Sequence, residues 1–346
     1  MTIRAFRLLL GTAALTSSAC LVACGESAPE TPVELPPIVG SAELALAFRN
    51  DGNAGSGALR IEASTAELRV NGQPVYTGLA RGVVPSTEET AEGLTQLLAA
   101  VRAAPASQQA NLTLAGMVPY ETAVRVIQTL NTAGYHNIAF AVRAPGSALT
   151  SSGWMTLSNV QTAPATGPVT FASGARPWGD FTARWADMYD ACRAGNYIDC
   201  DGSPNTPSVG GDVQLTLWSR GQGLQMRFNQ LNAPEAEAAP GAAPVAMIEG
   251  VPSSAQAPVE EAPPPDTNGV FSFRYEEATR TETTPAGAVQ AHSAISETAR
   301  PVCGAAACQT IVEADGNTPM MRVLSFIGAT FPNGAMAPNL ALRLPE

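Results

Sequence analysis

The 346-residue sequence contains no lysine and only two histidines. Beyond its first two dozen residues it has no apolar run approaching the roughly 18 residues a membrane-crossing helix needs. All nineteen basic residues are arginine, against thirty acidic ones, for a net charge of −11. The missing lysine reads as codon bias. The acidic balance argues against nucleic acid and anionic lipid as partners, since both call for basic patches. His136 falls in a turn after Gly134, where exposure is expected. His292 neighbours Ser293 on an expected helix, and adjacent helical residues do not face each other. There is no GxSxG elbow, "RGQGLQ" lacks the third glycine of a nucleotide fingerprint, and "DCDG" lacks a calcium loop with its closing Glu. No nucleophile, base and orienting group come together, so neither catalysis nor a cofactor nor a metal is expected.

What is present begins at the N-terminus. Arg4 and Arg7 precede a mostly apolar or small stretch, Leu8 to Ala19, and then Leu21-Val22-Ala23-Cys24. A short apolar run ending at small residues is a secretory signal, residues 1–23, and not a spanning helix. The last four residues resemble the bacterial lipobox, which implies acylation of Cys24; Cys20 fits worse, with Ser17 where leucine belongs. One acyl chain holds a protein marginally, whereas several anchor it stably. Residues 24–39 follow as an acylated tether, rich in Pro and Glu and without a basic residue. With Gly25 and not Asp after the cysteine, resemblance to Gram-negative lipoproteins implies the outer membrane, facing the periplasm.

Beyond the signal the cysteines are Cys192, Cys200, Cys303 and Cys308. An even number in an oxidising compartment implies two disulfides. Proximity favours 192–200 and 303–308, though three connectivities are open, and zinc is a rival that the spacing does not favour.

The rest of the chain is long enough for two domains. In the first, residues 40–145, Leu44, Leu46 and Phe48 alternate like a half-buried strand. "ALRIEASTAELRVNGQPV" reads as a hairpin, with Leu59, Ile61 and Ala63 on one side, Leu68 and Val70 returning, and Asn71-Gly72 as the exit turn. A helix is expected from Ser86, with a capping box to Glu89 and Pro105 just past its end. "NLTLAG" is a strand, Pro119 opens a second helix bearing Tyr120, Ala123, Val124, Ile127 and Leu130, Gly134 ends it, and "IAFAV" is the closing strand. Residues 146–175 read as a connector.

Residues 176–346 repeat this order. "VQLTLWSRGQGLQMRFN" is again a hairpin, Thr284 and Pro285 open a helix, and strand, helix and strand follow to "NLALRL". Residues 111–143 and 311–343 align without a gap, with six identities: Gly116, Pro119, Ile127, Gly134, Ala141 and Arg143 against the residues two hundred further on. The stripe Met320, Val323, Leu324 and Ile327 matches Tyr120, Ala123, Val124 and Ile127. Two segments are peculiar to this half. Phe181, Trp185, Met188, Tyr189 and Cys192 recur at helical spacing, a stripe better suited to a core than to a partner. Residues 232–268, acidic and rich in Pro and Ala, read as a disordered surface insertion.

"LTLAGMVPYETAVRVIQTLNTAGYHNIAFAVR" resembles the periplasmic domain of the ExbD/TolR family: a strand, a Val-Pro-Tyr helix start, Ala-Gly and a last strand. "LRVNGQPV" resembles the strand and turn before that family's first helix. The resemblance covers residues 57–143 well and 211–343 loosely. The order of elements itself implies an α+β fold: two small sheets in tandem, each covered by two helices on one face. Family members are inner-membrane partners of a proton-driven stator, with one membrane helix carrying an Asp. Here the only apolar segment is the signal, without Asp or Glu, so proton-driven work is not expected. What the resemblance leaves is a doubled, lipid-anchored domain whose copies pack as an internal pseudo-dimer. The expected function is non-enzymatic: an envelope binding or scaffolding module accessory to a Ton/Tol-like transport or integrity system. Its expected partners are the membrane, peptidoglycan or Ton/Tol-like proteins, met through Tyr120, Tyr135 and Arg143 or a strand added to a sheet edge. The alternative is a periplasmic hydrolase or cell-wall enzyme with a hidden site.

Overall fold

Asn71 and Gly72 sit at φ 49° and 80° between two strands paired Val70 to Gln73. This is the two-residue turn that Asn-Gly favours, because both positions need positive φ. The strands it joins belong to one of two mixed sheets in a computed structural model. The structure describes residues 36–144, 152–171, 176–194, 199–200, 211–220, 223–231, 271–276, 299–303 and 307–345, all within one unit, Leu35–Glu346. Cys24, His292, the Thr284–Pro285 helix start and the 232–268 insertion lie outside them.

The strands and helices, in chain order, are β1 (Leu59–Ala63), β2 (Glu67–Val70), β3 (Gln73–Thr77), β4 (Glu89–Thr90), β5 (Gly93–Leu94), α1 (Thr95–Ala103), β6 (Ala110–Leu114), α2 (Tyr120–Thr132), β7 (Ile138–Val142), β8 (Gly153–Leu157) and β9 (Gln161–Ala163). There follow β10 (Arg176–Pro177), α3 (Trp178–Ala194), β11 (Asp199–Cys200), β12 (Asp212–Arg220), β13 (Gly223–Leu231), β14 (Phe271–Glu276), a helical stretch α4 at 299–303, β15 (Gln309–Ala314), α5 (Met320–Thr330) and β16 (Asn339–Arg343).

The first sheet runs β3-β2-β1-β6-β7-β8 and the second β11-β14-β13-β12-β15-β16-β9. Their five-strand centres, β3-β2-β1-β6-β7 and β14-β13-β12-β15-β16, share one order and one pattern of directions. Two antiparallel pairings are followed by two parallel ones in each. The two-hundred-residue repeat is thus a repeat of topology as well as of sequence. The fold is α+β. Burial alternates along β1, as in a sheet with one wet face. At the centre it does not: β7 is buried at all five positions, so both faces are covered there.

Besides residues 44–48, which meet the strands only at an isolated bridge and form no strand of their own, two stretches differ from their sequence-based expectation. The helix expected from Ser86 begins only at Thr95; Ser86–Glu88 is a 3-10 turn without a side-chain cap. Gly93 intervenes at φ 110°, and a β-carbon there would lie 2.9 Å from the main-chain nitrogen of Thr129. The Leu94 N–H donates to the Thr129 hydroxyl at 2.8 Å, so α2 holds this stretch out of helical form. The "connector" 146–175 is the second: it supplies β8 to the edge of the first sheet and β9 to the edge of the second. The Asn131 side chain fixes this crossing, donating to the carbonyls of Tyr135 and Val160 and accepting from the Thr162 N–H.

The aromatic stripe of α3 is core. Trp178, Phe181, Trp185, Met188 and Cys192 are buried, and Phe181 stacks on Phe228 of β13 at 5.1 Å between ring centres. Cys192 is bonded to Cys200 and Cys303 to Cys308, which leaves one of the three connectivities and occupies the thiolates that zinc would need.

Candidate partner-binding site

A helix starts with N–H groups that have no partner within it. Ser, Thr, Asp or Asn usually supplies one from the N-cap position. Both α2 and α5 have proline there instead, Pro119 and Pro319, and neither has a side-chain cap. Each helix is capped by the other half. The N–H groups of Tyr120 and Glu121 donate to the carbonyls of Thr318 and Gly316, at 2.8 and 3.0 Å. Those of Met320 and Met321 donate to Val118 and Gly116, both at 2.9 Å. The four bonds form two pairs related by a shift of two hundred residues, centred on an antiparallel bridge between the two prolines. The repeated "G-x-x-P" supplies both sides: its glycine carbonyl accepts, and its proline starts the helix.

This junction takes Tyr120 out of the set of surface residues. The side chain is fully buried, and its hydroxyl donates to the carbonyl of Val312 at 2.7 Å and approaches that of Arg343 at 3.2 Å. Burial raises the phenol above its ordinary value. Tyr135 is also buried, its N–H bonded to the Leu130 carbonyl and its own carbonyl to Asn131. Arg143 is half-buried, with its main chain paired to Ala45 and Ala47. The three residues are parts of three separate structural contacts, and the first two are not open to a partner. His136 is exposed.

The sheet edges are poor acceptors of a further strand. β3 is five residues long, carries Pro74 without an N–H, and follows a bulge at Leu68/Arg69, features that blunt an edge. The Trp154 carbonyl of β8 already accepts from the Gly52 N–H. β9 has three residues and β11 two, with Cys200 of β11 held by its disulfide.

A more specific seat lies along the segment 43–52, which leaves a 3-10 turn at Ser41–Glu43 and runs between the two halves. The Gly116 N–H donates to the Glu43 carbonyl, Arg143 N–H to Ala45, Ala47 N–H to Arg143, and Asn333 N–H to Phe48. The Ser325 hydroxyl donates to the Leu46 carbonyl. The Arg49 guanidinium donates from Nη1 to the Ala335 carbonyl at 2.8 Å and points also at those of Phe331 and Pro332, at the C-terminal end of α5. Burial lowers its pKa, partly offset by Asp51. The Asn50 N–H donates to Oδ1 of Asn333. Past Leu44, which is buried, the face turned inward is the opposite of the one hydrophobicity suggests: Ala45, Ala47 and Arg49 are buried while Leu46 and Phe48 are half-buried. The seat is too tight for anything larger. A β-carbon on Gly328 would lie 2.7 Å from that of Ala47, and one on Gly153 would lie 2.9 Å from that of Asn50.

Among the described residues no group of three His, Cys, Asp or Glu side chains could hold a metal ion, and no helix is long and apolar enough to cross a membrane. No family model, curated protein or solved structure matches the chain.

Proposed function

We propose that the chain is a non-enzymatic, lipid-anchored envelope protein, a binding or scaffolding module accessory to a Ton/Tol-like transport or envelope-integrity system. It is held by Cys24 on the periplasmic face of the outer membrane, and its body is two ExbD/TolR-like domains joined in one chain. The observation that carries this reading is the mutual capping of α2 and α5. Two repeats that satisfy each other's helix starts behave as a dimer made within one molecule, as the resemblance implies. Such a body presents a fixed binding surface without needing a second copy. Peptidoglycan and Ton/Tol-like proteins are the partners proposed for it.

The test is capture from intact envelopes with tagged wild type and Cys24→Ala. Wild type should fractionate with membranes and retain a stator component or wall material, while Cys24→Ala moves to the soluble fraction. Capture of neither component by wild type would overturn the adaptor reading.

A further inference from the structure

The segment 43–52 is not part of either sheet. Its main chain pairs with them only through isolated bridges, Leu46 to Arg143 and Asp51 and Gly52 to Trp154, while Leu44, Ala45 and Ala47 pack into the hydrophobic core. Both sheets keep their full strand order without it, and the mutual capping of α2 and α5 uses none of its atoms. Yet its seat is built with care: main-chain bonds along its length, a glycine under Ala47, and a ring of carbonyls at the end of α5 for one guanidinium. Main-chain pairing combined with alternating side-chain sites is how proteins bind extended peptides.

We propose that this seat is a peptide-binding groove, occupied in cis by residues 43–52 and open to an extended peptide of the same chemistry. That chemistry is small side chains at two alternating positions, then arginine at the next. Gly328 sets the size limit and the carbonyls of Phe331, Pro332 and Ala335 select the cation. The occupant in cis then acts as a built-in competitor that a partner must displace. This deepens the binding-module reading by naming the ligand class.

Hydrogen exchange on the full chain tests the first half of the proposal. The amides of Ala47 and Asn333, which bond across the seat, should exchange at least ten-fold faster than those of β6 and β7, through an opening that leaves the sheets protected. A labelled synthetic peptide of residues 43–52 tests the second. It should bind the full-length Arg49→Ala chain, whose own segment is weakened, at least ten-fold more tightly than wild type. It should lose that binding when Gly328→Val is added or when its arginine is replaced by alanine. Asn333→Ala, which loosens the segment from the other side, serves if Arg49→Ala does not fold. Exchange of the segment only in step with the sheets, or no gain in peptide binding in either loosened chain, would overturn the groove. Failure to capture an envelope partner would leave these peptide results untouched, so the two readings fail separately.

Discussion

The Tyr120 hydroxyl of the first half donates to the Val312 carbonyl of the second at 2.7 Å, in a place from which water is excluded. Leaving a buried carbonyl short of its donor costs about 1–3 kcal/mol. Tyr120→Phe keeps the ring and removes only the hydroxyl, so it should destabilise the chain by about that amount in urea unfolding at neutral pH. The same bond predicts a pH dependence. Burial raises the folded-state pKa of Tyr120, so the neutral phenol is favoured in the folded chain. Its contribution is fully present below the ordinary phenol value of about 10 and is lost as pH rises above that. Tyr76, also raised by burial, acts in the same direction. Wild type should therefore lose stability more steeply than Tyr120→Phe above about pH 10.

Asn131 makes three hydrogen bonds that fix the crossing from β8 to β9. At about 0.5–1.5 kcal/mol for each net bond, Asn131→Ala should cost about 2–3 kcal/mol in denaturant unfolding. Asn131→Asp keeps the acceptor for Thr162 but loses both donations, and should recover only part of that loss.

Each disulfide closes a short loop, with separations of 8 residues for Cys192–Cys200 and 5 for Cys303–Cys308. The chain-entropy estimate for loops of this size is about 2 kcal/mol each. Serine pairs at either site should lower the unfolding midpoint accordingly, with the longer loop costing slightly more. Reductant should lower the wild-type midpoint and leave that of the quadruple serine variant where it is.

Gly93 combines φ 110° with a close approach to Thr129. An alanine there meets both a strained backbone, about 1–3 kcal/mol, and the main chain of α2. Gly93→Ala should therefore be more damaging than Gly57→Ala, where φ is 70° but nothing lies within 4 Å. Thermal unfolding of the two variants checks the order.

How much of this was legible in the sequence follows from which atoms do the work. The α2 and α5 stripes, the Asn71-Gly72 turn and the α3 core stripe are side-chain patterns, and each appears where its pattern places it. The mutual capping is made by main-chain atoms of "G-x-x-P", whose only trace is a repeated glycine and proline. The segment at Ala45 and Ala47 misleads for a physical reason: its tight seat admits alanine and leaves Leu46 and Phe48 only half-buried, against their hydrophobicity. Tyr120 was legible as special, though its hydroxyl serves the junction. The late start of α1 depends on α2, which no local pattern contains.

In the proposed function, the two halves of one chain act as each other's dimer partner. The most direct measurement is hydrogen exchange of the Tyr120, Glu121, Met320 and Met321 amides, followed across protein concentration. All four should be protected to a similar degree and independently of concentration. Exchange at the rate of open helix starts, or protection that appears only as concentration rises, would contradict the account.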